Sequence, residues 1–450
     1  MKKNKKQLRL EDALVPVEEQ PYEVPENWCW TKLGVNISIS KEKTDDFSDT
    51  SVKYVGLEHL ESNKGLDGYG TTEGIKSLKN IFHTGQILYG KLRPYLNKHD
   101  IASFDGVCST DILVIDVKNV VDAQFVNKFL DMDSFISYTV NNSKGINLPR
   151  VSGETIMDAA FPLPPLPEQQ RIVERIESLF SKLDEAKEKA QEAVHSFDNR
   201  KTMIIHNAFQ GTYTEKWRKD NNIDIGTWQN LTLNDVAEYK KGPFGSSITK
   251  AMFVPKGKDT FKVYEQGNAI RKTIEYGHYY IPKEKYNELK GFSVQSGDII
   301  ISCAGTIGEV YKLPKGCEQG VINQALMRVR IFDIIDEGFF VYYFGEVLKG
   351  DVNEQANGTA IKNIPPFKIM KAMEIKLPGL SEQKEIVHFL NTVLAKEEHV
   401  KKLAEILIDK IDLMKKSILA MAFRGELGTN NPDEESSVGL LNSIIDDENK

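Results

Sequence analysis

The chain has 450 residues, 40% hydrophobic and 27% charged, an ordinary globular composition with a length suited to about three structural units. No run approaches the roughly 18 apolar residues of a membrane-spanning helix. The four cysteines, Cys29, Cys108, Cys303 and Cys317, are too scattered for a disulfide framework or a zinc site, which predicts a reduced, cytoplasmic protein.

The net charge of −7 excludes no partner, because the stretch from Glu426 to Lys450 holds seven acids against one base and leaves the body nearly neutral. Residues 1–27 read as an N-terminal arm, whose basic start leads into Leu8-Arg9-Leu10-Glu11-Asp12 without an apolar signal core. A globular domain is predicted over 28–162. Trp28-Cys29-Trp30-Thr31-Lys32-Leu33 opens it, Gly85 feeds a buried strand at 86–90, Ile112–Ile115 is a strand and Ala123–Met132 a short apolar-faced helix.

Residues 163–211 read as one long helix. Pro167 suits the first turn, Glu168 faces the positive end of the helix dipole, and Gly211 stops the pattern. Apolar residues follow a 4,3 spacing from Ile172 to Ile204 with Arg200 as the exception, which is a coiled-coil seam. A linker over 212–227 leads to a second domain over 228–376, opened by Trp228, with strands at Ile299–Ile301 and Leu326–Ile331 and a short helix at 338–348. A second long helix fills 377–425, its seam running from Ile386 to Ile418 with Glu397 as the exception. Residues 426–450 read as a solvated, disordered acidic tail.

The two helices are copies. Leu163-Pro164-Pro165-Leu166-Pro167-Glu168-Gln169 matches Leu377-Pro378-Gly379-Leu380-Ser381-Glu382-Gln383 at an offset of 214, and Ala208-Phe209-Gln210-Gly211 matches Ala422-Phe423-Arg424-Gly425 at the same offset. What precedes each copy also repeats, including Asn147-Leu148-Pro149 against Asn363-Ile364-Pro365. Each seam needs a partner, and the equal-length twin in the same chain supplies one. The expected fold is α+β: two homologous globular domains joined and separated by two long antiparallel coiled-coil helices with pseudo-twofold symmetry. Separate packing of each helix on its own domain, or homodimerisation, is the alternative.

The repeated Leu-Pro-x-Leu-x-Glu-Gln at a helix start, the two heptad rods and the aromatic domain openings resemble the specificity subunit of type I restriction–modification enzymes, from about Trp28 to Gly425. The resemblance implies one target-recognition domain per half of a bipartite, asymmetric double-stranded DNA sequence. It also implies rods that set the gap and dock two adenine-N6 methyltransferase subunits, with restriction subunits joining through them. S-adenosylmethionine would be bound by the methyltransferase, and ATP and Mg by the restriction subunit, leaving no cofactor in this chain. Rods of roughly 60 Å could span half-sites about 34 Å apart. A scaffold holding two protein-binding domains apart is the competing function.

The sequence offers no catalytic centre. Asn363-Ile364-Pro365-Pro366-Phe367 approaches a base-gripping methyltransferase loop but has Ile364 inserted, and Gly68–Gly74 has the wrong spacing for a cofactor loop. The eight histidines form no zinc-binding pair, so no metal site is expected. Candidate DNA contacts lie in polar loops that combine cations, amides and aromatics. In the first domain these are Lys91, Arg93, Tyr95, Asn97 and Lys98, with Asn142 and Lys144 in a second loop. In the second domain they are Lys240, Lys241, Phe244, Ser246 and Ser247, then Gln266, Asn268, Arg271 and Lys272, then Asn357 and Thr359.

Overall fold

A computed structural model of the chain describes residues 9–347 and 367–448. It divides into two compact units, Met1–Gln191 with Glu405–Lys450, and Glu192–Ala404. Each unit therefore joins a globular domain to parts of both long helices.

In the first unit, Cys29–Lys32 pairs antiparallel with Ala160–Leu163, so the chain opens and closes the domain on one ribbon. An antiparallel sheet follows in the order His99–Ile101, Ile87–Gly90, Ile112–Val117, Ile37–Ile39. Its Ile87–Gly90 strand is buried throughout, as an unbroken apolar run requires. A second sheet centres on Gly106–Cys108, which lies parallel to Lys53–Val55 and antiparallel to Lys79–Phe82. The helix Ala123–Leu130 starts at Asp122, whose side chain accepts from Phe125 N. It carries Phe125 and Phe129 against Phe161 and against Phe423 at the end of the second long helix.

The second unit repeats this plan. Gln229–Thr232 pairs with Glu374–Leu377, and an antiparallel sheet runs Ala237–Lys241, Leu326–Ile331, Ile299–Ser302, Val310–Lys312. In a second sheet Gly320–Ile322 is parallel to Thr260–Tyr264 and antiparallel to Ser293–Val294. Asp336 caps the helix Glu337–Tyr342 as Asp122 does its counterpart. The two domains thus share one α+β topology, as the repeat predicts.

The long helices run antiparallel in each unit. Lys187 meets Asp412 at 2.6 Å and Lys415 meets Asp184 in the first, and Arg200 meets Glu397 at 2.9 Å in the second. The second helix is continuous over Leu380–Phe423. The first is interrupted at Ser196 between Leu166–His195 and Phe197–Phe209. There the Ser196 hydroxyl donates to Glu192 O and accepts from Arg200, a side-chain bond of the kind that bends helices. The expected glycine stops are present: Gly211 and Gly425 both adopt φ +74°, the left-handed conformation that closes a helix end.

The Glu-Gln motif explains the repeat. Gln169 accepts from Asp122 N at 2.8 Å and donates to Pro164 O at 3.0 Å. Gln383 accepts from Asp336 N at 2.6 Å and donates to Pro378 O at 2.7 Å. Each buried amide therefore rivets its long helix to the capped helix of the preceding domain. The glutamates do not simply face the helix dipole. Glu168 accepts from Thr429 at 2.7 Å and Arg171 at 2.8 Å, while Glu382 accepts from Thr214 at 2.7 Å, Arg218 at 2.6 Å and Trp228 Nε1 at 2.9 Å. In each unit, the residues after one helix's terminal glycine thus hold the glutamate at the other helix's start.

Three expectations are corrected. The acidic tail is not a solvated end: Ser437–Glu448 is a helix whose Leu441, Ile444 and Ile445 enter the first unit's core beside Leu10 and Leu14. The linker 212–227 contains the helix Glu215–Asp220, ordered by the buried Arg218–Glu382 ion pair. The seam is incomplete as well. Ile172, Ile176, Ala190, Phe197, Ile386, Leu390, Ala404 and Ile411 are buried, but Val400, Leu407 and Met414 are exposed by 40% or more.

Candidate nucleic-acid interface

The fold joins the two candidate loops of the first domain. Leu92 and Arg150 form a β-bridge, Arg93 N donates to Pro149 O at 2.7 Å, and Val151 N donates to Lys91 O at 3.1 Å. Arg93 and Asn97 take left-handed φ values of 53° and 45° around the turn Pro94–Leu96. That turn leaves the Tyr95 ring 53% exposed. Lys91 is half-buried, and burial is the main reason its ammonium is pushed below its ordinary value; the nearby Arg150 and Lys43 add to this, while Asp111 opposes it. Arg150, which pairs with Asp111 at 3.0 Å, belongs to this cationic cluster but was not among the sequence candidates. The sequence does carry a signal for it, since it directly follows the repeated Asn147-Leu148-Pro149.

Not every candidate faces solvent. Asn97 is buried, and its amide donates to Asp131 at 2.8 Å, so it clamps the turn instead of presenting an amide to a base. The Lys98 ammonium is held by Leu57 O at 2.7 Å. Asn142 ends the helix Asp133–Asn141 and donates to Tyr138 O. Lys144 is exposed in the adjoining loop.

In the second domain, Lys240 and Lys241 are exposed at the end of the Ala237–Lys241 strand, with the Lys240 ammonium 5.1 Å from the Phe292 ring centre. Gly242 is required there, since a Cβ would fall 1.8 Å from Asn323 O. The chain then presents Phe244, 87% exposed, with Ser246 exposed and Ser247 half-buried in the following turn. The exposed Gln324 lies beside this turn and was missed, because nothing local in the sequence links it to Phe244.

The Gln266–Lys272 cluster is mostly structural. Asn268 is fully buried, accepting from Glu265 N and donating to Thr273 O and Tyr276 O. Lys272 is held by Glu309 at 3.1 Å and by Val310 O. Gln266 is half-buried. Arg271 stacks on Tyr276 at 4.8 Å and borders a cleft that also contains Glu265 and Glu275, so its charge is mixed. Asn357, Thr359 and residues 363–366 of the methyltransferase-like loop lie outside the described residues. Among the described residues, no group of His, Cys, Asp and Glu is placed to hold a metal ion, and no helix is long and apolar enough to cross a membrane.

Two domains of one topology, each carrying exposed cations and aromatics on loops, with a repeated helix riveted to each, make this a modular two-domain chain. The family model for the type I restriction modification DNA specificity domain matches residues 38–194 and 225–407, well over half of the chain. The chain belongs to this family, as a specificity chain and not a catalytic one.

Over 201 residues it is 33% identical to the EcoDI type I restriction enzyme specificity subunit of Escherichia coli, a match covering 44% of this chain and 45% of that protein. With the EcoKI specificity subunit of Escherichia coli strain K12 the identity is 22%, covering 76% of this chain and 74% of that one. The fold matches the solved HsdS subunit from Thermoanaerobacter tengcongensis with a TM-score of 0.66 at 19% identity, across 91% of this chain and 100% of that one.

Proposed function

We propose that this chain reads a bipartite, asymmetric sequence in double-stranded DNA, one domain per half-site, and directs adenine-N6 methylation there through two methyltransferase subunits docked on its helices. Restriction subunits join through the methyltransferases. S-adenosylmethionine belongs to the methyltransferase, ATP and Mg to the restriction subunit, and the assembly works in the cytoplasm. The observation that carries this reading is the duplicated domain plan with different loops: Lys91, Arg93, Tyr95, Lys144 and Arg150 in the first copy, and Lys240, Lys241, Phe244 and Gln324 in the second. Two scaffolds of one plan with unlike loops suit an asymmetric target.

Partner docking is supported by the second helix. Ile406, Leu407, Leu413, Met414 and Met421, all in the first unit, are exposed by 39% or more, an apolar surface of the kind that marks a protein interface. The test is to express the chain with and without its cognate methyltransferase and map methylated adenines across host DNA. A two-part motif that appears only with both supports the reading. A soluble, associated pair that methylates nothing favours the scaffold function, and methylation by the chain alone contradicts a non-catalytic role.

A further inference from the structure

The loop that precedes the end of the first domain carries apolar residues into solvent on a fixed stem. Lys144 N donates to Arg150 O and Arg150 N to Lys144 O, both at 2.9 Å. Gly145, at φ +102°, makes the reversal that starts the tip. The Leu92–Arg150 bridge and the bond from Arg93 N to Pro149 O then anchor this stem to the Arg93 turn. On the tip so held, Ile146 is 100% exposed and Leu148 52%. A β-branched apolar side chain wholly in water contributes nothing to the domain core. Three cations, Arg93, Lys144 and Arg150, are exposed at its base.

We propose that Ile146 reads thymine: its side chain meets the C5-methyl group of a thymine in the major groove of the half-site bound by the first domain. The inference rests on the DNA-reading function above and adds to it a residue and a base. Thymine is the base that presents a methyl group in the major groove, and apolar contact is how that group is recognised. Cations flanking an apolar tip complement this, because phosphates on either side of the base set the register without reading sequence. Leu148, less exposed at 52%, lies two residues further along the same tip.

The experiment uses the chain assembled with its methyltransferase and the target duplex mapped for that complex. Each thymine of the first half-site, on either strand, is replaced in turn by uracil, which lacks only the methyl group. At one position the wild-type complex should bind about fourfold more weakly, the worth of one buried methyl group. The Ile146→Ala complex should bind the thymine duplex about tenfold more weakly than wild type and be indifferent to uracil at that position, with Ile146→Val intermediate. Because Ile146 is fully exposed, these variants leave folding intact, and recognition of the second half-site serves as an internal control. A first half-site without thymine, wild-type indifference to uracil throughout it, or an unchanged uracil response in Ile146→Ala would overturn the proposal. Wild-type complex that selects no DNA sequence at all would instead overturn the DNA-reading function on which it rests.

Discussion

Arg200 and Glu397, the one polar residue in each helical seam, pair with each other: Arg200 Nε donates to Glu397 Oε2 at 2.9 Å. The positions equivalent to them by the 214-residue repeat are Met414 and Leu183, which line one groove of the first unit. One unit thus has an ion pair where the other has two apolar residues lining a groove. Sliding the helices by a turn would set each charge against apolar neighbours, so the pair fixes register, as isolated polar seam residues do in coiled coils. Glu397→Leu alone should cost about 1 kcal/mol, the upper range for a partly exposed pair. The double variant Arg200→Met/Glu397→Leu should recover most of that loss. A double-mutant cycle by urea denaturation checks it, and simple additivity of the two single effects would count against the pairing.

The glutamates at the helix starts are predicted to matter more. Glu382 and Arg218 have side chains 1% and 8% exposed, and removing one partner of a buried pair strands the other charge at a cost of about 3–5 kcal/mol. Glu382→Ala should therefore open the second unit, seen as faster amide exchange in residues 215–220 and 380–390, whereas Arg200→Ala should not.

Glu168 gives this contact a pH dependence in the first unit. Burial raises its carboxyl above the ordinary value, opposed by bonds from Thr429 and Arg171. An acid raised in the folded state contributes stability that is complete below its unfolded value and is lost as pH rises through the folded one. Glu168→Gln should flatten that decline just above the usual carboxylate range. Denaturation midpoints measured in steps from about pH 4 to pH 8 test this; parallel curves for the two proteins would refute it.

Truncation after Glu426 removes Thr429, Glu434 and the helix Ser437–Glu448. The first unit should lose core contacts at Leu441, Ile444 and Ile445, bind a hydrophobic dye and melt several degrees lower. An unchanged melting temperature would mean the segment is dispensable.

This segment also shows where sequence reading stopped short. Its acids were visible, but Val438, Leu441, Ile444 and Ile445 carry a helical spacing that the charge count obscured. The repeat, the rods, the glycine stops and the paired α+β domains were legible because each is local or periodic. The work of Gln169 and Gln383 was not, since Asp122 and Asp336 lie 47 residues away in sequence. Polar loops were legible as loops only: an asparagine that clamps a turn, such as Asn97 or Asn268, has the same letter as one that reads adenine.

That distinction is testable on DNA. Removing Arg93, Lys144 or Arg150 should each weaken binding broadly across sequences and lower the salt slope by about 1, as loss of a phosphate contact does. Asn268→Ala should lower the second domain's stability and leave the target sequence unchanged. Methylation mapping at two salt concentrations separates these outcomes.

The central claim, one domain for each half of the target, is tested most directly by exchanging residues 31–160 for the corresponding domain of another family member and mapping the adenines methylated by the resulting complex. One half of the motif should change to the donor's sequence while the other half and the spacing stay as they were. If both halves changed together, or if neither did in a complex that still methylates, the modular reading would be wrong.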